Sequence, residues 1–395
     1  MNLRYLVPAL GLAALSTTSA FAEDKAPMVT FGGWVDAVLQ YGDPRQDGST
    51  ASDETLDNAF TGKDESAGSL RFTGAASIKT MVKVTDTLEA KINLWFDPGS
   101  SSTNLNMREA YFNWGFSEGL SWQMGKYIDH LGWIAAEPTG PTFLFINADT
   151  IGYRQAYGND VLGTALNIAP KDSPISASVH VTNGYYTTAD ATSTNYTSTP
   201  STSRENNDLG FGLDLTFALP EKMGSINAEL AYDIHSGSTA YLGGPAVAAA
   251  NLGGDVLLAG INATLKPVSI LTLGAEFMYL TVGESENFNG VSQNDGIDRM
   301  QGLLLANVAI EKAPVPMSVS ALFQFVSIDH DAVALTETEE RMYVGVALLT
   351  NPLTTTNFGL NFEVGFFDES GMGGSTGTGH EEDGVTVAVE GLVAF

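Results

Sequence analysis

Along most of the chain, apolar and polar residues alternate at period two. From 355 to 367, Phe358, Leu360, Phe362, Val364 and Phe366 interleave with Gly359, Asn361, Glu363 and Gly365. Successive side chains of a strand point to opposite faces, so the pattern reads as a strand with one apolar and one polar face. Segment 225–235 repeats it, with Ile226, Ala228, Leu230, Tyr232 and Ile234 set against Asn227, Glu229 and Asp233. Segment 87–97 sets Leu88, Ala90, Ile92, Leu94 and Phe96 against Glu89, Lys91, Asn93 and Trp95. Segments 209–219, 272–281 and 317–327 follow it less strictly.

The alternation predicts sixteen strands, near 28–41, 69–84, 87–97, 106–116, 120–128, 156–169, 175–183, 208–218, 225–235, 255–266, 269–282, 300–311, 317–327, 340–350, 355–367 and 384–395. Fourteen or eighteen also fit the pattern. A proline inside a sheet deletes a ladder hydrogen bond, so it belongs at strand ends. Beyond Pro8, the prolines obey this, among them Pro98, Pro170, Pro220, Pro267, Pro314 and Pro352. Short connections hold Thr85-Asp86, Ser117-Glu118-Gly119, Lys171-Asp172 and Glu221-Lys222. Long ones lie near 42–68, 129–155, 184–207, 236–254, 283–299 and 368–383.

Alternating short and long connections are those of a transmembrane barrel with tight periplasmic turns and longer outer loops. A soluble sandwich would need a covering layer and protected edges. In lipid, closure removes the edges, the apolar face turns out and the polar face lines the lumen. Glu276 and Glu363 stand mid-strand on polar faces, and Tyr41, Phe96, Phe116, Trp122, Tyr279, Phe366 and Phe367 near strand ends read as interface girdles. The expected fold class is therefore all-β, a transmembrane antiparallel barrel of about 16 strands.

Composition narrows the function. The 395 residues carry a net charge of −28 with only 16% charged residues and no cysteine. That charge opposes nucleic-acid binding. The lack of cysteine removes disulfides, thiol nucleophiles and Cys-ligated zinc. A mean hydropathy of +0.03 argues against a disordered acidic chain. Residues 1–22 hold Arg4, an apolar run from Tyr5 to Leu15 and Ala20-Phe21-Ala22. They read as a signal peptide cleaved after Ala22, leaving 23–395 as the barrel in a Gram-negative outer membrane.

The last strand, Val385-x-Val387-x-Val389 up to Phe395, is similar to the assembly signal of Gram-negative outer-membrane proteins. Gly33-Trp34-Val35-Asp36-Ala37, Met107-Arg108-Glu109-Ala110-Tyr111, Gly125-Lys126-Tyr127, Leu131-Gly132, Glu137-Pro138-Thr139-Gly140 and Val181-Thr182-Asn183-Gly184 resemble the OmpL-like β-barrel porin family, over roughly 28–190. The resemblance implies a general diffusion channel and names no solute.

Catalytic motifs fail in context. Gly373-Gly374-Ser375-Thr376-Gly377 matches G-x-S-x-G, but a nucleophile elbow needs a strand, a sharp turn and a helix. Gly210-x-Gly212 lacks the third glycine and the helix of a dinucleotide site. His130, His180, His235, His330 and His380 stand far apart in sequence, and His180 and His235 read as solvated lumen or loop residues. No catalytic residue, metal or cofactor is implied.

The polar faces supply the candidate pore lining. Its acids are Asp36, Glu89, Asp97, Glu109, Asp214, Glu229, Asp233, Glu276, Glu311, Glu363 and Glu390; its bases are Arg71, Lys79, Lys83, Lys91, Lys266 and Arg341. The acid surplus predicts a modest cation preference, although any water-filled lumen needs polar lining. Connection 129–155 is unusual in being apolar. Leu131-Gly132-Trp133-Ile134 and Phe143-Leu144-Phe145-Ile146 flank Glu137-Pro138. It reads as a constriction loop folded into the lumen, with Asp129, Trp133, Glu137, Phe143, Phe145 and Asp149 as its key residues. A cap on the rim or on a neighbouring subunit is the other reading. Acids such as Asp43, Asp47, Asp53 and Glu54 in the first long connection suit a solvated surface or divalent cations bridging to lipopolysaccharide.

The expected function is a passive porin for small hydrophilic solutes and ions. Its partners would be outer-membrane lipid, lipopolysaccharide and those solutes, with room for a homotrimer. The alternative is a structural or adhesive barrel with a blocked lumen, whose loops bind partners.

Overall fold

The structure is a computed structural model, and it describes residues 27–46, 69–97, 104–134, 145, 151, 153, 160–185, 209–234, 255–283, 285–286, 292–294, 297–330, 338–353, 357–373 and 378–395. The signal-peptide segment lies outside them. Eighteen strands follow in order: β1 Met28–Gln46, β2 Ser69–Lys83, β3 Leu88–Asp97, β4 Asn104–Ser117, β5 Leu120–Ile128, β6 Asp160–Ile168, β7 Ile175–Thr182, β8 Leu209–Ala218, β9 Gly224–Ile234, β10 Val256–Val268, β11 Leu271–Val282, β12 Ser285–Glu286, β13 Ser292–Asn294, β14 Ile297–Ala309, β15 Met317–His330, β16 Glu339–Thr350, β17 Phe358–Gly373 and β18 Thr378–Ala394. β12 and β13 form a separate small hairpin; the other sixteen close into one antiparallel barrel.

Closure joins β18 to β1 in a register that pairs Trp34 with Ala394 and Leu39 with Val389. It ends on a reciprocal backbone pair, Gly33 N–H to the Phe395 carbonyl at 2.9 Å and Phe395 N–H to the Gly33 carbonyl at 3.0 Å. Pairing each sequence neighbour leaves no free edge, as lipid requires of a sheet.

Alternation sorts the two faces as the sequence suggests. Val35, Ile78, Ile92, Phe211, Ile261, Val346 and Val364 are exposed on the outside. Their neighbours Trp34, Ser77, Asn93, Gly212, Asn262, Ala347 and Glu363 are buried on the inside.

Several expectations are corrected. Phe367 is not a girdle residue: it faces inward and is fully buried, because the period continues from inward Glu363 and Gly365. Segment 368–383 is not an extended loop, since β17 and β18 stay paired from Asp368↔Asp383 to Gly373↔Thr378. β1 likewise runs on to Gln46. Polar residues can extend a strand once it leaves the apolar band, and there the apolar pattern ceases to mark it. Glu311 lies in the turn after β14 and not on a strand of the inner wall, while Lys83 and Lys266 are exposed at the ends of β2 and β10 near the short turns.

Candidate functional site: the barrel interior

The interior is layered. Near the short turns it is polar and half-exposed, with Lys79, Glu89, Lys91, Asn113, Gln123, Asn167, Ser178, Thr216, Asn227, Thr264, Asn307 and Asn361 open to solvent. Towards the long connections it is buried and largely apolar. There Val256, Leu258, Met278, Leu280, Leu303, Leu305, Leu322, Val326 and Ile328 of the wall pack with Leu131, Trp133, Ile134, Phe145, Ile151 and Tyr153 of the connection between β5 and β6. That connection therefore lies against the inner wall over its described residues.

Two devices seat it. The first is a set of buried wall charges that meet its backbone. Glu229 Oε2 on β9 accepts the Gly132 N–H at 2.8 Å. Glu276 on β11 accepts the Trp133 N–H, and the Tyr153 hydroxyl at 2.7 Å. Arg299 on β14 donates to the Tyr153 carbonyl at 3.3 Å, and Arg341 on β16 to the Ile151 carbonyl at 3.5 Å. A backbone group left without a partner in this dry layer would cost about 1–3 kcal/mol.

The second device is a set of glycine hollows. The Trp133 indole lies where a Cβ on Gly274 would overlap it, and its Nε1 donates to Thr264 Oγ1 at 2.9 Å. A Cβ on Gly345 would sit 3.0 Å from the Phe145 ring. Glycine in a strand interior marks close approach of another group, which is its use here.

A second connection also starts inward. After β7, Tyr185 is buried over Gly212, and its N–H donates to Asp233 Oδ2 on β9 at 2.6 Å. Burial and nearby carboxylates push the Tyr185 phenol up, so it stays protonated and uncharged. The sequence assigned 184–207 to an outer polar loop; its first residues turn into the barrel instead, and the rest lies outside the described residues.

The opposite arc is a polar network. Lys91 Nζ meets Glu109 at 2.7 Å, Asn93 donates to Glu109 at 2.9 Å, and Ser77 donates to Asn93 at 2.6 Å. Trp34 and Trp95 pack edge to face, ring centroids 5.1 Å apart, with the Arg108 guanidinium 4.5 Å over Trp95. Tyr343 donates to Glu363 at 2.6 Å, and Asn361 to Glu390.

The expected lining residues thus divide. Asp36, Lys79, Glu89, Lys91 and Asp214 face inward and are half-exposed. Glu109, Glu229, Asp233, Glu276, Arg341, Glu363 and Glu390 face inward and are buried. Arg71 and Asp97 occupy strand positions opposite Gln40 and Asn104. Of the loop residues, Trp133 and Phe145 are buried in the barrel and Asp129 Oδ1 accepts the Leu131 N–H at 3.2 Å. Glu137, Phe143 and Asp149 lie outside the described residues. His180 is not solvated: it is 3% exposed and bonded to Asp214.

Among the described residues, sequence reading missed four buried inward charges, Arg108, Arg299, Glu339 and Glu369. Arg108 escapes the period because a bulge between Asn93↔Glu109 and Leu94↔Met107 turns both Arg108 and Glu109 inward. The other three lie just beyond the predicted strand ends.

No family model and no curated protein matches the chain. Solved structures do. The outer-membrane channel DcaP of Acinetobacter baumannii is similar with a TM-score of 0.60 at 13% identity, over 96% of this chain and 100% of that one. OprB of Pseudomonas putida is similar with a TM-score of 0.56 at 7% identity, over 93% and 94%. The anion-selective porin of Comamonas acidovorans gives 0.55 at 12%, over 94% and 100%. At such identities the likeness is one of fold: the chain has the closed sixteen-strand barrel of outer-membrane porins.

Proposed function

We propose that the chain, exported by its cleavable signal peptide, is a passive outer-membrane channel for small hydrophilic solutes and ions. The observation that carries this reading is the half-exposed polar layer inside a closed barrel whose outer face is apolar. The resemblance of residues 28–190 to OmpL-like porins is in keeping with it, as are the channels and porins among the structural neighbours. In this reading the connection after β5 is the constriction loop. Any cation preference is modest, because Glu229, Asp233 and Glu276 accept hydrogen bonds from inserted backbone or side chains instead of facing the passage. A homotrimer and contacts with lipopolysaccharide belong to the same proposal.

The apolar layer inside the barrel supports a second reading, a blocked barrel whose loops bind partners. Liposome swelling separates the two. A channel admits small sugars at rates that fall with their size; a blocked barrel leaves swelling at the protein-free rate for every sugar.

A further inference from the structure

Charge divides the wet layer into two arcs. Among the described residues its half-exposed inward charges are Asp36 on β1, Lys79 on β2, Glu89 and Lys91 on β3, and Asp214 on β8. Asp214 is bound to His180 at 2.7 Å. The other four stand together on β1–β3. From β5 round to β15 the layer is otherwise built of amides and hydroxyls, with Gln123, Asn167, Thr216, Asn227, Thr272 and Asn307 half-exposed on the inner face.

The strand registers set these groups side by side. Asn167 lies opposite Ser178, Thr216 opposite Asn227, Asn227 opposite Asn262, and Thr272 opposite Asn307. Neighbours fix one another's orientation. Ser178 Oγ donates to Asn167 Oδ1 at 2.6 Å, and Asn227 Nδ2 to Asn262 Oδ1 at 2.7 Å. Asn307 Nδ2 donates to Ser320 Oγ at 2.6 Å and to Ser318 Oγ at 3.0 Å. A primary amide has two donors and an acceptor oxygen with two lone pairs, so each amide keeps bonding capacity beyond these contacts.

We infer that this uncharged arc is a binding subsite for neutral polyhydroxylated solutes, short oligosaccharides above all. The inference rests on the channel reading and gives that passage a preferred cargo. A sugar hydroxyl donates and accepts, as do the amides and hydroxyls of the wall, so it can replace wall-bound water bond for bond. An ion has less to gain there. It would exchange part of its hydration for neutral dipoles, and its countercharges stand on the opposite arc. Neighbouring strands are about 4.8 Å apart, close to the length of one sugar ring. Groups on successive strands can therefore meet successive rings of a short chain lying along the wall. Passage also requires that binding be weak enough for the solute to leave.

The test uses the folded full-length barrel in a zwitterionic detergent without a sugar head group, titrated with maltotriose and followed by ligand NMR. Half-saturation is expected at roughly 1–10 mM. Thr216→Val and Thr272→Val keep the branched shape and remove one hydroxyl each. Each should weaken binding about two- to tenfold, and the pair by about the product of the two. A methyl-capped oligoether of similar length accepts hydrogen bonds but donates none, and should bind at least about tenfold more weakly. Gluconate should bind no tighter than glucose. No saturation, equal affinity with and without the two threonine hydroxyls, equal binding of the oligoether, or tighter binding of gluconate each overturns the subsite. The expected binding in a barrel that admits no sugar in the swelling assay keeps the subsite and sinks the channel reading. Swelling without saturable binding does the reverse.

Discussion

Gly274 and Glu276 sit two residues apart on the same inner face of β11, and both serve Trp133, one its indole and the other its backbone N–H. Gly274 leaves the space and Glu276 supplies the acceptor. Gly274→Leu would push a side chain into the ring of Trp133; overpacking of this kind costs about 1–3 kcal/mol. Thermal unfolding in detergent should show the loss, and adding Trp133→Ala should recover part of it. Glu276→Leu removes acceptors from the Trp133 N–H and the Tyr153 hydroxyl, at about 1–3 kcal/mol for each group stranded. Glu276→Gln keeps an acceptor and should cost less in the same melt; equal losses would show that the carboxylate's acceptor role is not what matters. An inward acid at 276 was legible from the alternation. Its partners were not, because they lie 143 and 123 residues away along the chain.

At the scale of the strand, the number and order of elements were legible because lipid outside and polar groups inside repeat one signal sixteen times. Where the alternation weakened, the weakness carried information. β11, β14 and β15 place Met278, Leu280, Leu303, Leu305, Leu322 and Val326 inward while Phe277, Leu304 and Phe323 face out. A strand apolar on both faces is one covered on both faces, here by lipid and by the inserted loop. That cover could not be read from the strands alone. The bulge at Arg108 was equally hidden, since a period-two reading admits no extra residue. The turn between β8 and β9 carries a local misfit. Glu221 and Lys222 both have positive φ, 56° and 62°, where residues with a Cβ are strained. Such a turn prefers Asn-Gly. Glu221→Asn combined with Lys222→Gly should stabilise the barrel by on the order of 1 kcal/mol, the relief of left-handed strain less the added freedom of glycine in the unfolded chain, read as a higher midpoint in denaturant. An unchanged or lower midpoint would mean that those side chains compensate the strain.

For the whole molecule, an even number of antiparallel strands brings the first and last strand ends of the barrel to the side of the short turns, where Gly33 and Phe395 close the sheet. The barrel then has two layers with different tasks: a dry one that holds the loop, and a wet one that meets solvent. Charge follows the layers. Among the described residues the half-exposed inward charges are Asp36, Glu89 and Asp214 against Lys79 and Lys91, close to balance despite a net charge of −28. Exposed charges are screened beyond about 8–10 Å at physiological salt. A reversal potential across a salt gradient should therefore show only weak cation preference, growing as salt is diluted; strong selectivity of either sign would place other charges at the narrowest point. The central claim, that water fills a path through the wet layer, is tested most directly by conductance with a reporter in its wall. Asn113 faces that layer and is half-exposed, so Asn113→Cys gives the cysteine-free chain a single thiol there. The account predicts steady ohmic steps in a planar bilayer that shrink when a bulky charged thiol reagent is added. Absence of steps, or steps unchanged by complete labelling of that thiol, would contradict it.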